Sequence, residues 1–418
     1  MTMLCFLPWC TISENISVGE FQLMPWGAIR DSGVLPTVVM NAAEAVLDAY
    51  GRGRKVDQSA IPLLRESTLE WTAELSESQI ADYFEFRSRL AFAVLAKRSF
   101  FGHRYASSDN VRLVVQGFSP EGDGGAVITS RRRDGSSSNY IPKRALRIPR
   151  PEHISGWCGL PDDLDVPLLT ALEAAYTART ADYSKVAEAA RLFVGASTDS
   201  PDIGQHAELL DTVSAFSRLA GAWDEKSTVQ AFLDRLPPPN KLEEDLVGPK
   251  LRALQEPVPT VVKKDQSRKG RSVREKWLRD AYVLRSQYGH GHVDAPRYLS
   301  TWTAREHLLL AAIALPLTVK AVLRDADFYQ FTPEDVALDG SFDTLATLEP
   351  FALLARTNED DDLPKHRGEA DDDDDSDDDD VAGKRWRGVI SRLQLRPMAA
   401  ALAAAFERDM AKLAAKND

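Results

Sequence analysis

The strongest constraint on this 418-residue chain is a change of pattern near residue 164. From there, Leu164–Thr180, Tyr183–Val194 and Glu208–Trp223 are rich in Ala and Leu with short breaks, and Thr228–Leu236 follows before Pro237–Pro239 ends the run. Segments of this length with apolar residues three and four apart predict amphipathic helices that bury one face. A further helix is expected from Val273 to about Gly289. Another should start at the capping box Thr303-x-x-Glu306 and run to about Leu323, kinked at Pro316.

Residues 1–150 read differently, as a mixed α/β region and a possible recognition domain. Short β-type runs occur near Leu4–Leu7 and Ile16–Leu23, and Ser76-x-x-Gln79 opens a helix expected to reach about Phe101. Val111–Phe118 and Ala126–Ser130 flank Gly-Asp-Gly-Gly and predict a β-hairpin. That glycine cluster has no following lysine or helix start, so it is a turn and not a phosphate-binding loop. The expected fold class is therefore α+β, with a helical domain over 160–325, an extension over 326–357, an acidic linker over 358–383 and a helical tail over 384–418.

Charge locates that linker. Residues 358–380 carry fourteen acidic residues against Lys365 and Arg367, which accounts for the whole net charge of −12. A run such as Asp371–Asp375 with Asp377–Asp380 cannot bury itself. Two segments are locally basic, 131–150 and 263–280, and each suits either a phosphate backbone or a solvated loop. Three cysteines, Cys5, Cys10 and Cys158, form no CxxC pair, and seven scattered histidines make no metal framework. Neither metal nor cofactor is expected, and the cysteine usage points to a reducing, cytoplasmic setting. The apolar stretch Leu308–Val319 is short for a bilayer and contains Pro316, so no membrane association is expected.

The chemistry concentrates at the end of the Val273 helix. Leu278, Ala281, Arg285 and Tyr288 follow an i, i+3, i+7, i+10 spacing, which puts Arg285 on an apolar stripe. An arginine there snorkels, pairs with a buried acid, or points into a functional groove. His290 lies about 140° further round a continuous helix, so the break at Gly289 must redirect it toward Arg285. An Arg-to-His spacing of this kind occurs elsewhere, in Arg98/His103 and Arg147/His153, and Arg285 also stands in register with His292. Context separates them. Only the 285–290 pair follows a helical run, has glycine directly after the histidine, and precedes another long helix. His307, on that next helix, reads as a surface or core histidine.

The segment Trp277-Leu-Arg-Asp-Ala-Tyr-Val-Leu-Arg-Ser-Gln-Tyr-Gly-His-Gly291 resembles the end of the motif helix in Apea-like HEPN domains, with Arg191–Val194, Ala196–Asp199 and Leu209–Leu219 resembling the helices before it. The resemblance spans about 160 residues. It implies an all-α domain, a homodimer, and metal-independent RNA cleavage by Arg285 and His290, with Ser286, Tyr288 and His292 in support. Lys263, Lys264, Arg268, Lys269, Arg271 and Arg274 form the approach expected to bind RNA. An imidazole exchanges protons near neutral pH, and a guanidinium fork holds two phosphate oxygens. The ribose 2′-OH would then attack its own phosphate. The chain departs from the family at Ser217, where the family often has Glu. That departure favours the alternative, a non-catalytic HEPN module for RNA or protein binding. A small-molecule enzyme built on residues 1–150 has no cofactor motif behind it.

Overall fold

Short β-branched and aromatic runs separated by turns build an antiparallel seven-stranded sheet in the order β3-β4-β5-β1-β6-β7-β8. The computed structural model describes residues 2–50, 62–70, 74–97, 107–119, 126–132, 135–142, 148, 158–238, 272–289 and 301–347. The protein is α+β. Strand β1 (Thr2–Phe6) lies mid-sheet, with Phe6 opposite Leu63 of β5 (Pro62–Glu66) and Thr2 opposite Phe118 of β6 (Val114–Phe118). Strands β3 (Ile16–Val18) and β4 (Phe21–Pro25) form a hairpin whose turn places Gly19 at φ 57°.

The hairpin expected around Gly-Asp-Gly-Gly is formed by β6 and β7 (Ala126–Arg132), with Gly117 opposite Val127; residues 120–125 lie outside the described part. Strand β8 (Gly135–Ile141) extends it, although Gly-Ser-Ser-Ser-Asn-Tyr-Ile has no apolar alternation to announce a strand. A separate parallel pair joins β2 (Cys10–Ile12) to β9 (Cys158–Leu160).

Two short helices, α1 (Trp26–Ser32) and α2 (Thr37–Asp48), pack Trp26, Val39 and Val46 with Leu4, Phe6, Leu63 and Phe118 of the strands. Helix α3 (Glu77–Lys97) opens with the predicted reciprocal cap: Ser76 N–H donates to Gln79 Oε1, and Gln79 N–H donates to Ser76 Oγ. Its residues Leu90–Leu95 are wholly buried.

Arg89, one position before that stretch, is buried too. It pairs with Glu173 of α4 (Val166–Ala178), donates to the Tyr183 hydroxyl at 3.2 Å and lies 4.0 Å from the centre of the Tyr176 ring. Asp165 caps α4 by accepting from Leu168 N–H, and it receives Lys320 Nζ at 2.6 Å. Helices α5 (Ala181–Ala196), α6 (Gln205–Ala220) and α7 (Glu225–Arg235) follow. The predicted 208–223 helix stops at Ala220 because Gly221 adopts φ 64° as a left-handed cap.

Contacts divide the chain into two compact units, Met1–Arg235 with Thr318–Gln330, and Leu236–Leu317 with Phe331–Asp418. The boundary therefore follows Arg235, not the expected 150–160, because α3 packs against α4 and α5 and joins them to the sheet's unit. The second unit contains α8 (Val273–Gly289), α9 (Ala304–Asp325, counted here to Leu317) and α10 (Pro333–Thr347), which lies in the expected extension. Helix α9 passes through Pro316 as one helix. It is long and apolar enough to cross a membrane, but 83% of its apolar window is buried inside the protein. The acidic linker and the expected tail helix lie outside the described residues.

Burial pushes the Glu173 carboxyl up from its ordinary range, and the Arg89 guanidinium opposes that shift. Arg89→Met should leave a buried carboxylate without its cation and cost about 3–5 kcal/mol at neutral pH. Without Arg89, Glu173 would bind its proton more tightly folded than unfolded, so the deficit should shrink as pH falls toward 5. Urea denaturation across that range checks both the loss and its sign.

Candidate functional site

Helix α8 carries three arginines, and the first and last of them meet opposite fates. Arg274, at its start, is only 1% exposed. Its Nε donates to Asp343 Oδ2 at 2.8 Å and its Nη1 to Asp339 Oδ1 at 2.6 Å; the carbonyls of Leu236, Pro237 and Asp339 accept the rest. The expectation that Arg274 contacts RNA therefore gives way to a structural role. Its donors are consumed inside the unit, where they fix α8 to α10. Arg279 is likewise paired, with Glu275 at 3.0 Å.

Arg285 is half-buried, and its Nε is sealed from water with no hydrogen-bond acceptor. Among the described residues its contact is with the Tyr282 ring, 5.9 Å from the guanidinium carbon. Leu278 and Ala281 are buried and Tyr288 is half-buried, so the stripe inferred from spacing is present. Burial raises the Tyr288 hydroxyl pKa, which keeps it protonated as a donor. Ser286 is exposed. Gln287 is buried, with its Oε1 unpaired. His290, His292, Lys263, Lys264, Arg268, Lys269 and Arg271 lie outside the described residues, as do the competing Arg98/His103 and Arg147/His153 pairs.

The backbone at Thr301 and Trp302 is held on α8. The amides of Thr301 and Trp302 donate to Asp280 Oδ2 at 2.9 and 3.3 Å. Asp280 and Gly289 are nine residues apart, about 14 Å along a helix. Thr301 and Trp302 are thus anchored to the helix that bears Arg285.

Asp280 is itself supported. His307 of α9, wholly buried, stands with Nε2 3.4 Å from Asp280 Oδ2 but makes no hydrogen bond to it. The rings of Trp277 and Trp302 flank His307 at 6.2 and 5.8 Å, and Trp302 Nε1 donates to Ala346 O at 2.8 Å. Asp280 was not singled out by the sequence reading. Its signal was an acid on the face that Val273 and Gln287 share at seven-residue steps.

At the position where the resembled family often has Glu, Ser217 is buried in α6 and returns its hydroxyl to Val213 O at 3.3 Å. Among the described residues, no group of three or more His, Cys, Asp or Glu side chains is placed to hold a metal ion.

Fold and site together define an α+β protein in which, among the described residues, the Nε of Arg285 meets no acceptor near the end of α8. No protein-family model, curated protein or solved structure matches the chain.

Asp280→Ala should free the Thr301 and Trp302 amides. Losing a charge-assisted bond worth about 1.5–3 kcal/mol predicts at least a tenfold faster hydrogen exchange at those two amides. Amide exchange followed by mass spectrometry or NMR checks it, with the α3 amides as the unaffected reference.

Proposed function

We propose that the protein is a metal-independent RNA endonuclease of HEPN type, in which Arg285 clamps the scissile phosphate and His290 transfers protons to and from the ribose and leaving oxygens. The observation that carries this reading is the unmatched Nε of Arg285. Arg89, Arg274 and Arg279 each meet a carboxylate, whereas the Arg285 Nε is out of water and has no acceptor. A phosphate oxygen supplies the missing acceptor and the missing negative charge. Tyr288 beside it offers a hydroxyl donor and a ring on which a base can stack. Such a site needs no metal, since proton transfer and charge neutralisation come from side chains. Cleavage leaves a 2′,3′-cyclic phosphate and a 5′-hydroxyl. A homodimer places two such pairs in one groove, and a cytoplasmic setting agrees with three buried, reduced cysteines.

One observation favours a second reading, a non-catalytic HEPN module that binds RNA or protein. Ser217 brings no carboxylate to orient an arginine, and its hydroxyl is turned back to its own helix.

Incubating the protein with mixed single-stranded RNA in EDTA separates the two. The nuclease reading expects cyclic-phosphate products, a loss of at least about a hundredfold in rate for both His290→Ala and Arg285→Ala, and no change for His103→Ala. RNA bound but uncut by the wild type leaves only the binding module. Light scattering should show a dimer at micromolar concentration; a fully active monomer would remove the shared groove.

A further inference from the structure

Cys10 and Cys158 are 148 positions apart in sequence, yet they are direct register partners in the parallel pair β2–β9. Register partners project to the same face, and neighbouring strands lie about 4.8 Å apart, inside the Cα separation a disulfide spans. Both side chains are sealed, at 1% and 0% exposure. Cys10 Sγ also donates to Asn110 O at 3.1 Å, which fixes its rotamer against the turn Ser108–Val111. The third cysteine offers a contrast inside the same unit. Cys5 of β1 is equally buried, but Val115 stands opposite it.

We infer that Cys10 and Cys158 form a reversible redox staple, two thiols in the resting protein and a disulfide after exposure to a peroxide. The step balances with one equivalent of hydrogen peroxide. One thiolate attacks the O–O bond and becomes a sulfenic acid as hydroxide leaves. The second thiolate then displaces the sulfenic oxygen as water. Two electrons pass from the sulfurs to the peroxide, and both thiol protons end in water.

Two features set the response. Contact with the Cys158 thiol and burial hold the Cys10 thiol well above its ordinary range; the nearby Arg87 guanidinium draws it down and the Asp163 carboxylate pushes it up again. The resting pair is therefore slow to react, and faster at higher pH. The parallel pair is only three residues long, so it opens locally at far less cost than the sheet beside it and admits a small oxidant. Once closed, the bond ties β2 to the strand that leads through Asp163 to the Asp165 cap of α4, because Asp163 Oδ2 accepts from Gly159 N–H.

The test treats the reduced full-length protein with hydrogen peroxide under native conditions, alkylates the remaining thiols, and maps the peptides by mass spectrometry. The expected product has lost two hydrogens, yields one cross-linked Cys10–Cys158 peptide, retains alkylated Cys5 and returns to the starting mass with dithiothreitol. Its melting midpoint should rise by about 5–10 °C. Cys5→Ser should leave all of this unchanged. The mapping on the unaltered protein decides the matter even if Cys158→Ser folds poorly. A cross-link that involves Cys5, one that forms only in denaturant, or oxidation to sulfinic and sulfonic acids without a cross-link would each overturn the inference.

Discussion

A guanidinium taken out of water is costly unless its donors are met, and the described core of each unit holds one whose donors are. In the first unit Arg89 comes just before the most deeply buried stretch of α3, and Glu173, Tyr183 and Tyr176 close around it. In the second, Arg274 draws two carboxylates and three carbonyls onto the start of α8. Burial raises the Asp343 carboxyl pKa, and the Arg274 charge works against that shift. Such clusters hold helices at a fixed register more than they add net stability, because removing either partner strands a charge.

That rule gives Arg285 its meaning. It lies eleven positions after Arg274 on the same helix, three turns away, and so on nearly the same face. The first arginine is saturated, while the second meets an aromatic ring and, among the described residues, no acid. The anion proposed to bind there would supply the negative charge that Arg285 does not find among the described residues. The Asp280 anchor then matters because it holds Thr301 and Trp302 on this helix, with the wholly buried His307 and the two tryptophans packed around it.

Long periodic segments were legible in the sequence, and so were features with local chemistry. The helices of residues 166–235, both capping boxes at Ser76 and Thr303, and the hairpin at Gly-Asp-Gly-Gly all declare themselves through spacing or turn residues. The apolar stripe that bears Arg285 does too. What escaped were features defined by distant partners. Nothing near Arg274 indicates that Asp339 and Asp343, more than sixty residues on, will neutralise it, so it read as one more member of a basic run. Strand β9 has three residues, too few for a period, and it exists only because Cys10–Ile12 lies beside it. The unit boundary was missed for the same reason, since α3 binds α4 and α5 through contacts that carry no mark in composition.

The central place of β1 has a consequence for how the chain is made. Thr2–Phe6 is the first of the seven strands to be synthesised, yet its hydrogen-bonding partners are Leu63 on one side and Val114–Phe118 on the other. Until both have been translated, its two edges are open and its buried faces are wet. The first unit therefore cannot consolidate from its beginning outward. It must wait for more than a hundred residues before its middle strand is enclosed, a long-range closure of the kind that slows folding and leaves a growing chain in need of shelter.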